Sequence, residues 1–356
     1  MDIYENGYKM KIGQKKISRD SKPFIIAELS ANHNQSLKRA LELVKKAAIS
    51  GADAIKLQTY TADTMTFDID SEEFMIRDES SPWNGRHMHD LYDEAHTPWE
   101  WHEEIFNYAA SLNLIAFSSP FDDTAVDFLE SLNVPAYKIA SFECIDTQLI
   151  KKVASTGKPM IISTGMADKE EIDDAVQTAR KYGCKNLSLL KCTSTYPASP
   201  KNTNISSISA LRERYDCEVG LSDHTLGIGV ACASISFGAT IIEKHLTLSR
   251  SEEGVDSIFS MEPSEFNLLV SETKKAWESQ GEIFFGGTES EKNSRQRRRS
   301  LYFSQNIKSG SVLNSSDIKR VRPGNGLKPK HYDEIIGKKI NHDVKRGQPI
   351  KWDDFE

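Results

Sequence analysis

The sequence predicts a (β/α)8 TIM barrel followed by a small β-rich domain, and three observations carry that prediction. Short, nearly continuous apolar segments alternate with amphipathic helical ones up to about residue 280, the pattern of a parallel sheet buried on both faces. Eight such βα units suit the roughly 250 residues of a barrel; a doubly wound sheet is the alternative. Beyond residue 300 the chain repeats itself: Ile307-Lys308-Ser309-Gly310, Leu313 and Asp317-Ile318 recur 37 positions later as Val344-Lys345-Arg346-Gly347, Ile350 and Asp354-Phe355. The implied division is a barrel over 1–281, a Gly-, Ser- and charge-rich linker over 282–299, and a tail domain over 300–356.

The eight strand segments are FIIAELS (24–30), AIKLQTY (54–60), IAFSSPF (115–121), AYKIAS (136–141), MIISTG (160–165), LSLLKCTS (187–194), EVGLSDHT (218–225) and TIIEKHLTL (240–248). Helical periodicity marks 37–50, 98–112, 125–132 and 170–183. A long insertion, residues 61–97, is rich in acids, Met and Trp. At the catalytic face a loop of that length covers substrate or meets a partner. Each strand begins apolar and ends polar: Glu28; Lys56 and Gln58; Ser118 and Ser119; Lys138 and Ser141; Ser163; Ser194; Ser222 and His224; Glu243 and His245. Strand C-termini face the active-site mouth of a barrel, so these side chains are expected to converge in one ring.

Composition narrows the function class. The 356 residues are 27% charged and 38% hydrophobic, with formal net charge −7, as in a soluble globular chain. The charge is divided unevenly: residues 297–356 hold 14 Lys/Arg against 7 Asp/Glu, a net of +7, which leaves −14 for the remainder. No nucleic acid and no membrane are expected as partners. The charged N-terminus (1–13) shows no export segment. The five cysteines (144, 184, 192, 217, 232) lack CxxC spacing, which favours a cytoplasmic protein with reduced thiols.

Chemistry is expected at the strand ends. His224 and His245, on the last two strands, would ligate one divalent metal with positions left open for water or substrate, or one of them is a core histidine. Lys56, Lys138 and the strand-end serines suit an oxyanion such as phosphate or carboxylate, unless the lysines only pair with barrel glutamates. Glu28 and Glu143 are candidate acid/base groups, and Asp256 suits sugar hydroxyls or a turn. The HxH pair His87/His89 lies in the insertion, away from the strand ends. Gly227-Ile-Gly229 lacks a third glycine in register, so no nucleotide cofactor is expected. A Schiff-base lysine, Lys138 or Lys244, is a rival chemistry, and a non-catalytic carbohydrate-binding tail is a rival function.

The runs IAELSANHN, AIKLQTY, AYKIAS, STGMA, LLKCTSTYP, GLSDHT and IIEKHLTL resemble the sialic acid synthase family. RPGNGL (322–327) and the tail around it resemble that family's antifreeze-like (SAF) domain. The stretches 86–102, ASFE (140–143) and GVDSIFSMEP (254–263) are similar to its pseudaminic acid-forming branch, rather than to the branches making N-acetylneuraminate or legionaminate. The resemblance implies condensation of phosphoenolpyruvate (PEP) with an amino-sugar aldehyde and water, aided by a divalent metal (Mn2+, Mg2+ or Co2+). It implies metal ligation by His224 and His245, and PEP binding by Lys56, Ser119, Lys138, Ser141, Ser163, Ser194 and Ser222. Relatives often carry Thr at the Ser119 position and Asn at the Ser194 position. Glu28 and Glu143 are implied at the reacting centre, and Gln58, Tyr196 and Asp256 at the sugar. Arg322 is implied to reach the other subunit of a domain-swapped homodimer.

Overall fold

The alternation within each strand assigns one set of side chains to the barrel interior and the other to the helices. A computed structural model shows how the two sets close; it describes residues 10–79, 81–252 and 254–356. The first nine residues, read above for an export segment, lie outside the described chain. The described residues fall into two units, up to Gly281 and from Glu282 onward.

The first unit opens with a hairpin, β1 (Met10–Ile12) and β2 (Lys15–Ile17). The barrel strands follow: β3 (Phe24–Glu28), β4 (Ala54–Thr59), β5 (Ile115–Pro120), β6 (Tyr137–Ile139), β7 (Met160–Ser163), β8 (Leu187–Cys192), β9 (Glu218–Ser222) and β10 (Ile241–His245). All pair in parallel and in chain order, and β10 returns to β3. His245 lies opposite Glu28, and Glu28 opposite Lys56.

Helices cover the outside where the periodicity predicts them. Leu37–Ser50 starts where the Ser36 side chain accepts from the Arg39 N–H, and Asp122 caps Asp123–Ser131. A reciprocal Asp168/Glu171 box opens Lys169–Lys181. Each such cap satisfies donors that the first helical turn leaves orphaned.

Inside, residues alternate by twos and form layers. Ile26, Phe117, Ile161, Leu190 and Ile241 make a buried apolar floor, on which Met10, Ile12 and Ile17 of the hairpin pack. The hairpin therefore closes the end of the barrel where the strands begin. Each fully buried aliphatic side chain here contributes about 1.5–3 kcal/mol. Asp53 ties the hairpin down, pairing with Lys15 and Lys22 and accepting from the Ile25 N–H at 3.0 Å. Two residues further along each strand the interior turns polar.

One member of the expected ring points elsewhere. Ser118 bonds Thr59 Oγ1 at 2.6 Å, and Thr59 in turn bonds His102 Nε2 at 2.8 Å on the helix His102–Ser111. Ser118 is thus on the helix-facing parity of β5, and only its neighbour Ser119 faces inward. The insertion is also less irregular than its composition suggests, with a turn at Glu72–Phe74 and a helix at Met88–Ala95. The stretch read as a linker contains a short helix, Lys292–Arg295.

In the second unit, β11 (Ser300–Phe303) and β12 (Ile318–Val321) pair antiparallel. The sequence repeat is also a structural one. Ile307 and Val344, equivalent positions, bridge each other through reciprocal N–H to carbonyl bonds of 3.0 and 2.9 Å. Gly310 donates to the Ile340 carbonyl, and its counterpart Gly347 donates to the Phe303 carbonyl. Both glycines have φ above +80°, a region that strongly favours glycine. Leu313 and Ile350 fill the shared core.

Candidate active site

Above the apolar floor the barrel holds four buried ionisable groups. Glu28 on β3 pairs with Lys56 on β4. Glu243 on β10 lies 3.8 Å from Lys56 and 3.7 Å from Lys138 on β6. Lys56 also donates to Ser119 Oγ at 3.2 Å, and Ser222 Oγ donates to Glu243 at 3.2 Å. Burial and the nearby Glu243 push the Glu28 carboxyl upward, against the pull of Lys56. Burial opposes ionisation of Glu243 too, but the two lysines outweigh it and hold that carboxyl low. Glu28 is therefore the carboxyl of the two with the greater proton affinity, suited to take up a proton, while the two lysines are the groups that would face an anionic ligand. Glu243 is strand-end polar like the others, and inward parity with His245 is the signal that marks it.

Next to Lys138, Ser141 follows β6, Ser163 ends β7 and Ser194 follows β8, three neighbouring strands of the barrel. Ser141 and Ser194 contact hydroxyl to hydroxyl at 2.8 Å, while Ser163 Oγ is buried without a partner among the described residues. Gly165 is what allows the approach: its φ is +48°, and a Cβ there would stand 2.5 Å from Ser141 Cβ. Glu143 follows β6 on the turn Phe142–Ile145, and burial raises its carboxyl to about 7.

The two histidines sit on the rim of the layer. Their rings are edge to face, centroids 5.4 Å apart. His224 Nδ1 lies 2.9 Å from the Thr193 carbonyl, so in the neutral ring that nitrogen carries the proton and Nε2 the lone pair; against burial, nearby Cys192 favours the charged ring. His245 Nδ1 is buried with no hydrogen-bond partner among the described residues, and burial beside His224 pushes its pKa well below the ordinary value. Two imidazoles in ring contact, one with its Nδ1 orphaned, fit a divalent cation. Among the described residues no third His, Cys, Asp or Glu joins them as a ligand group. Any such cation would therefore owe its remaining ligands to water or substrate.

A hydrogen-bonded chain leads outward from here. Gln58 Nε2 donates to Ser30 Oγ at 3.0 Å, and Ser30 donates to Asp256, whose carboxylate lies 3.9 Å from His245 Nδ1. Tyr196 stands over His224 with ring centroids 4.5 Å apart. Cys192, not singled out from the sequence, lies 4.0 Å from His224 Nδ1 and 3.7 Å from Ser194 Oγ. Burial disfavours its thiolate, yet His224, Lys138 and Ser194 together outweigh this and bring the thiol to about 7. Arg322 belongs to the second unit, exposed just after β12.

Lys244 and the His87/His89 pair are engaged elsewhere. Lys244 points away from the interior, and its ammonium meets Asp223 at 2.8 Å and the carbonyls of Thr225 and Gly227 at 2.6 and 3.0 Å. Those three acceptors use all its protons, so Lys244 is not a Schiff-base nucleophile; Lys138, whose ammonium burial pushes downward, is the lysine left for that chemistry. His87 and His89 are separately engaged, with the Ile69 carbonyl and with Asp63.

The chain matches the NeuB family over residues 43–284 and the SAF domain over 298–356. It is 42% identical to the pseudaminic acid synthase of Campylobacter jejuni, over 98% of this chain and 100% of that protein. It is likewise 42% identical to the pseudaminic acid synthase of Helicobacter pylori, over 94% of this chain and 98% of that one. The N,N'-diacetyllegionaminic acid synthase of Legionella pneumophila is 34% identical, with 94% of each chain covered. Among solved structures, the N-acetylneuraminic acid synthetase of Leptospira borgpetersenii in complex with citrate aligns with TM-score 0.71 and 30% identity, covering 80% of this chain and 94% of that one. With the family model matched over most of the barrel and relatives at 42% identity aligned over nearly its whole length, the chain belongs to the NeuB family, the sialic acid synthases.

Proposed function

We propose that this chain is a pseudaminic acid synthase, condensing PEP with 2,4-diacetamido-2,4,6-trideoxy-L-altropyranose and water to give pseudaminic acid and phosphate. The observation that carries the reading is the buried layer of two lysines and inward hydroxyls beside the paired rings of His224 and His245. It offers an anion pocket directly beneath a site for a carbonyl oxygen. The higher identity to the two pseudaminic acid synthases than to the legionaminic acid synthase favours this product over the legionaminate or N-acetylneuraminate alternatives.

In this reading Lys56, Lys138, Ser119, Ser163 and Ser222, with the Ser141–Ser194 pair, hold the phosphate and carboxylate of PEP. Their charges and hydroxyl donors fix its C3 toward the aldehyde carbon. His224 and His245 would hold a divalent cation (Mn2+, Mg2+ or Co2+), which supplies Lewis-acid polarisation of the aldehyde oxygen when bound. As C3 bonds to the aldehyde carbon, positive charge develops at C2. Water adds there, and Glu28 accepts the proton that water gives up. The resulting tetrahedral carbon expels phosphate and becomes the ketone. Glu143 orients substrate, and Gln58, Tyr196 and Asp256 line the sugar's side. We also propose a domain-swapped homodimer in which Arg322 of each chain serves the other's barrel. The basic tail and acidic remainder are complementary in charge for that. Five free thiols suit cytoplasmic work, with the product passed on to flagellin or surface polysaccharide.

A phosphate-release assay tests the function. Phosphate is expected from PEP with the 6-deoxy diacetamido sugar and manganese, and not with a chelator. Equal or faster release with N-acetylmannosamine would overturn the product assignment.

A further inference from the structure

The insertion after β4 brings one aromatic residue to the barrel mouth. Trp83 lies 5.4 Å from Tyr196 and 6.3 Å from Phe259, ring centroid to centroid. Tyr196 and Phe259 are 5.1 Å apart. The other side of this cluster borders the histidines: Tyr196 is 4.5 Å from His224, and Phe259 is 5.0 Å from His245. The three rings thus form a continuous wall that starts at the histidine pair and ends at Trp83. Trp83 has already used its one polar group, since Nε1–H donates to the Val255 carbonyl at 2.9 Å. It therefore offers only hydrocarbon to anything beside it. Trp83 also lines an open cleft of about 610 Å³ with Asn34, Gln35 and Arg86. Gln35 and Arg86 are committed there, to the Glu94 and His96 carbonyls and to the Glu94 carboxylate.

We propose that Trp83 is a specificity residue, the far end of an aromatic wall against which the deoxygenated C6 end of the sugar packs. The inference rests on the proposed function, because it takes the aldehyde end of the sugar to lie at His224 and His245. A sugar chain anchored there passes Tyr196 before it reaches Trp83. A methyl group against indole gains burial, whereas a hydroxyl in the same place is desolvated with no free acceptor on the ring. An apolar surface of this kind discriminates against one added hydroxyl by up to about 100-fold.

The test compares kcat/KM for the 6-deoxy diacetamido sugar and for its counterpart carrying a C6 hydroxyl, in the parent protein and in Trp83→Phe, Trp83→Ala and Trp83→Gln. The parent is expected to favour the 6-deoxy sugar by ten- to 100-fold. Trp83→Phe keeps that preference. Trp83→Ala and Trp83→Gln reduce it at least tenfold through the sugar's KM, while the KM for PEP stays put. Retention of the full preference in the Ala and Gln variants overturns the wall and leaves the proposed function standing. If those two variants are inactive, the Phe variant decides: one that treats both sugars alike overturns the inference, and one that keeps the preference supports it. A parent protein that turns over neither sugar overturns the function itself.

Discussion

Ser141 and Ser194, from loops following different strands, meet hydroxyl to hydroxyl at 2.8 Å only because residue 165 between them has no side chain. Gly165→Ala places a methyl group against Ser141 at a backbone conformation of φ +48°. The expected result is a KM for PEP raised tenfold or more, equivalent to about 1.4 kcal/mol, with a stability loss of about 1–3 kcal/mol from the strained backbone. Steady-state kinetics and thermal melts measure the two effects separately. An unchanged KM for PEP would remove the serine pair from the anion pocket.

His245→Ala is expected to lower kcat/KM at least 100-fold without unfolding the barrel, because the residue it replaces carries a buried nitrogen with no internal partner. Titration of bound manganese by electron paramagnetic resonance gives a second readout, in which the variant's affinity falls at least tenfold. Full activity of the variant in chelator-containing buffer would eliminate the metal role.

Glu143 links activity to pH. Its carboxyl titrates at about 7 instead of 4.5, so ionising it in the folded chain costs stability as pH rises through that interval. Glu143→Gln should be more stable than the parent at pH 8, by on the order of 2 kcal/mol, and no more stable at pH 4.5. The parent's KM for PEP should climb above pH 7, as a second negative charge appears near the anion. The Gln variant should show a flatter profile.

Two other histidines make the fold sensitive to acid. His33, bonded to Thr97, and His102, bonded to Thr59, are fully buried, and burial lowers both to about 4. Their depressed values mean that the unfolded chain binds more protons between pH 6.5 and 4, so stability present above 6.5 is lost as pH falls through that window. Each contributes on the order of 2–3 kcal/mol to the loss. Denaturant midpoints should fall over this range, and fall less steeply in His102→Gln.

Lys244→Met tests the structural assignment of the second barrel lysine. It leaves Asp223 buried without its cation, which should cost about 3–5 kcal/mol. Borohydride with pyruvate should trap no lysine in the parent protein; a covalent adduct at residue 138 would revive the Schiff-base chemistry.

The architecture was legible because a parallel barrel writes itself as apolar runs of strand length, and all eight runs became strands. The polar ends were legible for the same reason, since only the strand termini open onto solvent and substrate. Orientation was less so. Ser118 and Ser119 are adjacent and chemically identical, and only the register of β5 sends one to the helices and the other to the interior. Glu243 was visible as a strand-end acid, but its place between two lysines depends on β6 and β10 facing each other across the barrel. The role of Trp83 depends on how the insertion folds back over the mouth, a tertiary contact with no periodicity to announce it. The β1–β2 hairpin did leave a trace, apolar Met10, Ile12 and Ile17 around Gly13, though in segments too short to separate from a loop.

That hairpin has a consequence for traffic. A vessel stoppered at its base fills and empties through a single opening. The lysines stand on the strands themselves, whereas Trp83, Tyr196 and Phe259 stand on segments that follow strand ends. In the proposed reaction PEP and the sugar would therefore share one doorway, and so would the nine-carbon acid and the phosphate on their way out.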